Sequence, residues 1–98
     1  MTKVHEPITP GEILLTEFLE PLGISQYRLA QATGLPQTRI GQIVRGKRSI
    51  TTETALRLSK ALGVDDRFWI NIQTDYDLEV ERDLHADELA KVTALVAS

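Results

Sequence analysis

Gln37, Thr38, Arg39 and Gln42 set two amides, a hydroxyl and a guanidinium within six consecutive positions, and Arg45, Lys47 and Arg48 follow closely. Amide and guanidinium groups present paired hydrogen-bonding atoms that match the edges of bases, whereas isolated cations suit phosphate. From Pro21 to Thr52 the chain holds five basic residues and no Asp or Glu, although its overall net charge is −3. The acids are displaced to the ends: residues 1–20 carry a net −3 and residues 64–98 a net −6. A local patch of one sign matters more than the total in setting which partner a surface accepts. Taken by itself, this pattern fits a solvated basic face as readily as a surface that meets a polyanion.

Other chemistries find little support. The chain has no cysteine, which excludes disulfides and thiolate metal sites and fits a reducing compartment. No glycine loop of the phosphate-binding type is present, and neither His5 nor His85 belongs to a triad motif or has metal-ligand spacing. An enzyme is therefore not expected, nor a cofactor or metal. The stretch "MTKVHEPITP" lacks the apolar run of a signal peptide, and no segment approaches the roughly 18 apolar residues needed to span a bilayer. A cytoplasmic protein without membrane contact is expected. Ninety-eight residues, 42% of them hydrophobic, suffice for a single domain with a modest core.

The polar and basic side chains can act together only if short helices hold them. Thr9 is a good N-cap, Pro10 suits the first helical position, and Glu12 completes a capping box, with Ile8 and Ile13 as a hydrophobic staple. The first helix is expected to run to about Leu22, burying Ile13, Leu14, Phe18 and Leu19 before Gly23 stops it. Ser25 starts a second that Gly34 ends. A third runs from near Pro36 to Val44 and stops at Gly46. Thr51 or Thr52 caps a fourth, carrying Ala55, Leu56, Leu58 and Leu62 up to Gly63, and Asp65 caps a fifth with Phe68, Trp69, Ile70 and Ile72. "YDLEVE" alternates with period two and reads as an extended arm. Beyond it Leu89, Val92 and Val96 form a stripe suited to a short helix, with His85 or Asp87 as its cap. The expectation is an all-α domain over residues 1–98. It comprises a five-helix core at 8–72 and an acidic C-terminal extension at 73–98 that serves dimer or partner contacts.

Helices two and three are joined by the tightest connection in the chain, with Gly34 in it. Leu29, Ile40 and Ile43 then turn inward, and Ala30 is small where the two helices cross. What remains outward on helix three is Gln37, Thr38, Arg39 and Gln42.

The segment "SQYRLAQATGLPQTRIGQIVRGKRSIT" resembles the phage-repressor-type (XRE) helix-turn-helix family. "TPGEILLTEFLEPLGIS" before it and "FWINIQTDYDLE" after it resemble, more narrowly, the HigA antitoxins of bacterial toxin–antitoxin operons. The resemblance spans roughly residues 8–80. It implies a homodimeric repressor that binds double-stranded operator DNA at its own promoter and neutralises a cognate RelE-like toxin, a basic mRNA-cleaving ribonuclease. A stand-alone regulator without a toxin is the alternative, and a small basic reading frame beside the gene would discriminate the two. The family pattern usually has His where Thr9 stands. Gly41 within helix three is a second departure, costing about 1 kcal/mol relative to Ala. Either close approach of the backbone to DNA or a packing requirement would explain it.

The resemblance assigns Gln26 to phosphate, at the positive end of helix two. Gln37, Thr38, Arg39 and Gln42 are expected to meet base edges, because the start of helix three enters the groove in this motif. Arg45, Lys47 and Arg48 are expected to neutralise phosphates. Phe68, Trp69 and Ile72 are assigned to the core or a dimer interface. The acidic tail suits a surface for a basic ribonuclease, and equally a solubilising end.

Overall fold

A computed structural model describes residues 6–97. Six helices follow one another, with no strand among these residues. Helix α1 begins as Pro10–Ile13, widens into a π-helical stretch at Leu14–Leu19 and closes with Glu20–Leu22. Then come α2 (Gln26–Thr33), α3 (Gln37–Val44), α4 (Thr52–Leu62), α5 (Phe68–Leu84) and α6 (Ala86–Ala90). No helix of the described residues is long and apolar enough to cross a membrane.

Local chemistry accounts for most of these boundaries. The hydroxyls of Thr9, Ser25 and Thr51 accept hydrogen bonds from the amides of Glu12, Arg28 and Thr54, as N-caps do. The π turn in α1 lies just before Pro21, which has no N–H to give to the carbonyl an α-helical turn would offer. Gly34 ends α2 with φ 77°, a left-handed conformation that a side chain would resist. Asp65 acts one turn ahead of α5, its Oδ1 accepting from the Arg67 amide at 2.8 Å.

Leu14, Leu29, Ile40, Ile43, Leu58 and Trp69 are buried almost completely and form one cluster with Leu19, Ala30, Leu35, Ile50 and Ala55. Phe18, Phe68 and Trp69 meet at steep ring angles, with centroids 5.1–5.6 Å apart. Trp69 thus belongs to the core, while Phe68 and Ile72 are half-buried. Leu56 and Ile8 stay largely exposed, so the fourth helix buries fewer of its apolar residues than its pattern suggests. The staple across the first cap likewise leaves Ile8 open to water.

The C-terminal expectations are corrected. "YDLEVE" is helical, and α5 passes through residue 73 without a break to Leu84. Its inner stripe is Trp69, Gln73, Tyr76 and Val80, a helical period hidden because Gln73 is polar. Gln73 is nonetheless buried. Its Oε1 accepts from the Ile50 amide at 2.7 Å and its Nε2 donates to Asp77 at 2.9 Å. The last helix ends at Ala90, so Leu89, Val92 and Val96 do not form a helical stripe. Val92 and Val96 are 72% and 80% exposed, so no burial supports a further turn beyond Ala90. His85 occupies the N-cap position of α6, and its ring instead contacts Glu88 at 2.9 Å and Glu81 at 3.5 Å. His5 lies outside the described residues.

Of the glycines, Gly11 has the least room. A Cβ there would stand 1.7 Å from the Ile43 carbonyl oxygen, so α1 rests backbone to backbone on the end of α3. Gly11→Ala is expected to destabilise the chain by about 1–3 kcal/mol in urea unfolding. An unchanged midpoint would mean that α1 can slide off α3 without loss.

Candidate nucleic-acid interface

Helix α3 has eight residues, and its inner face is fixed by the buried Ile40 and Ile43. Helical spacing then turns Thr38, Gln42 and Arg45 to one outer side. Gln37 and Thr38 are exposed in the first turn, and Gln26 opens α2 beside them. Together Gln26, Gln37, Thr38, Gly41, Gln42 and Arg45 line an open recess of about 390 Å³. No carboxylate borders it. Of the eight residues assigned from sequence to base or phosphate, this recess gathers five. Arg39 is half-buried and lies outside it. Lys47 and Arg48 lie in the following loop, where they border a smaller recess of about 100 Å³ with Thr9, Ser49 and Tyr76.

Gly41 now has a local explanation. The nearest atoms to a Cβ at this position are Arg45 Nη1 at 3.1 Å and Gln26 Oε1 at 3.5 Å. The missing side chain leaves room for a cation and an amide at the floor of the recess, and no backbone crowds it.

The loop after α3 is held at both ends. The Lys47 amide donates to the Gln42 carbonyl at 2.8 Å and that of Gly46 to Ile43 at 3.0 Å, folding the chain back over the helix end. Three residues on, Ile50 is tied to Gln73 of α5. Between these anchors, Arg48 Nε donates to Gln42 Oε1 at 2.8 Å. The turn between α2 and α3 is braced by Arg57 of α4, whose Nη1 donates to the Thr33 carbonyl at 2.7 Å and whose Nη2 pairs with Glu53 at 3.3 Å. Sequence reasoning missed Gln73, Arg57 and Gly11. The first two carry no local pattern, because their partners lie 23 and 24 residues away.

Residues 15–69 match the helix-turn-helix family. Virulence-associated protein I of Dichelobacter nodosus is 49% identical over 74% of this chain and 68% of its own length. Antitoxin HigA-1 of Vibrio cholerae is 37% identical over 96% of this chain and 89% of its own. A solved structure of the Pseudomonas aeruginosa antitoxin HigA with the higBA promoter superposes with a TM-score of 0.86 at 33% identity, covering 93% of this chain and 100% of that one. The chain belongs to the helix-turn-helix family, on its HigA-like branch. Members of this family are DNA-binding proteins and not enzymes, in keeping with a sequence that carries no catalytic motif. In helix-turn-helix terms, α2 and α3 are the motif pair, and α3 with its polar recess holds the position of the recognition helix.

Gly41→Ala separates the two readings of that glycine. Its Cβ would meet only flexible side-chain ends, and Ala gains about 1 kcal/mol of helix propensity. Thermal unfolding is expected to show equal or higher stability, with the change confined to the recess. A marked drop in the midpoint would instead reveal a packing requirement.

Proposed function

We propose that this chain is a homodimeric, sequence-specific repressor that binds operator DNA at its own promoter, and the antitoxin of a cognate basic RelE-like ribonuclease. The observation that carries the DNA reading is the acid-free recess of Gln26, Gln37, Thr38, Gln42 and Arg45, built on the recognition helix of a helix-turn-helix. Its amides and hydroxyl suit base edges. Arg45, Lys47 and Arg48, with Gln26 at the start of α2, suit the flanking phosphates. That the similar Pseudomonas aeruginosa antitoxin HigA has been solved with the higBA promoter supports a DNA-binding reading for this chain.

The dimer reading has separate support. One helix-turn-helix covers too few base pairs to select a site, and two-fold pairing places recognition helices about 34 Å apart, one turn of DNA. Leu78 and Leu84 of α5, Leu89 of α6, and Val92 and Leu95 beyond it are all exposed, apolar side chains of the kind that mark a contact surface. A second copy would cover it. The same acidic end, net −6 over residues 64–98, complements a cation-rich ribonuclease.

Titration on operator and scrambled duplex at several salt concentrations tests the DNA reading. Arg45→Ala and Lys47→Ala should weaken both complexes, lowering the salt slope by about one unit for each phosphate that is no longer neutralised. Gln37→Ala should cost about 1–3 kcal/mol on operator alone. Arg39→Ala falls in the first class if it holds the backbone and in the second if it reads guanine. Variants neutral on both duplexes would leave the basic window a solvated face.

Sedimentation at micromolar concentration should give twice the chain mass, and a monomer with and without DNA would exclude the dimer. For the toxin, a small basic reading frame is expected beside the gene, and co-expression of this chain with it should relieve the growth inhibition it causes. A chain carrying Gln37→Ala and Arg39→Ala should relieve it equally. Failure of that folded variant would place toxin and DNA on one surface.

A further inference from the structure

We propose that Arg48 is a positioning residue for sequence reading, fixing the amide of Gln42 in one orientation. The inference rests on the DNA-reading function of α3. A free glutamine amide presents an acceptor and a donor end that exchange by a half-turn of its terminal torsion. Here Arg48 Nε donates to Gln42 Oε1 at 2.8 Å, a charge-assisted bond. The guanidinium holds the carbonyl end and leaves the two N–H donors of Nε2 to face a ligand. Gln42 therefore reads as a donor, suited to an acceptor on a base edge such as O6 or N7 of guanine or O4 of thymine.

The pairing is built by the backbone and does not depend on a chance meeting of two long side chains. The Gln42 carbonyl accepts from the Lys47 amide at 2.8 Å, folding the loop back so that a residue six positions on returns to the same glutamine. Two residues further the Ile50 amide is fixed on the buried Gln73 at 2.7 Å. Arg48 sits between two fixed points, and Gln42 is half-buried. A side chain ordered before binding loses less rotamer entropy on binding, and it rejects the base that would need the opposite amide orientation. Only Nε is used in this bond, so the terminal nitrogens of Arg48 remain able to meet phosphate. Alanine at position 48 would remove both roles at once, whereas lysine keeps the cation and loses the planar Nε–H.

The test selects a preferred duplex from a randomised pool with the unaltered chain, then titrates that duplex with each base pair replaced in turn. Gln42→Ala is expected to flatten the preference at one base pair by about tenfold. Arg48→Lys should flatten it at that same base pair, and the double variant should show no further loss. The salt slope of Arg48→Lys should match that of the unaltered chain, and its circular dichroism should show intact helices. If Arg48→Lys retains the full preference at every base pair while Arg48→Ala weakens all duplexes alike, Arg48 is a phosphate cation only and the inference fails. If the unaltered chain selects no sequence at all, the DNA-reading function fails with it.

Discussion

An eight-residue helix has no stability of its own in water, so α3 exists only because Ile40 and Ile43 are buried against the rest of the domain. That burial fixes the rotation of the helix. Once the two isoleucines face inward, Thr38, Gln42 and Arg45 must face outward, and their chemistry is free to be chosen for a partner. The backbone contact of Gly11 with the Ile43 carbonyl holds the other end of α3, so neither its rotation nor its slide is adjustable. The remaining helices serve this placement. α2 supplies Gln26, α4 braces the turn through Arg57, and α5 pins the exit loop through Gln73.

The polar groups that do this bracing are more informative than the apolar core. Gln73 is buried, and removing its side chain would leave the buried Ile50 amide without its acceptor. Its bond to Ile50 makes the cationic loop part of the folded body. Arg57 is basic and lies close in sequence to the acid-free window, yet its guanidinium is engaged by the Thr33 carbonyl and Glu53. It serves the turn. A count of basic residues could not make that distinction.

Much of this was legible in the sequence because it is local. Thr9, Ser25 and Thr51 cap helices three residues ahead, and Gly34 marks the turn of the motif; such signals act within one helical turn. The placing of Gln37, Thr38 and Gln42 in one recess on α3 followed from the spacing of Ile40 and Ile43, whereas Arg39, expected beside them, lies outside it. The extent of α5 was not legible, since a polar Gln73 sits in its inner stripe and the alternation of "YDLEVE" imitates a strand. The pairing of Arg48 with Gln42 was hidden for a related reason. It depends on the loop folding back at Gly46, which in sequence signals no more than a helix stop. Gly41 looked like a weakness in a helix and proves to be space for Arg45 and Gln26.

Assignment of α3 as the reading element is the central claim, and an amide NMR titration with the selected duplex tests it most directly. The side-chain NH2 signals of Gln37 and Gln42, and the backbone amides from Gln37 to Arg48, should shift or broaden most. Those of α4 beyond Arg57 and of the acidic stretch of α5 should stay in place. Perturbation centred on α5 or the tail, with the Gln37 and Gln42 signals unmoved, would contradict that assignment.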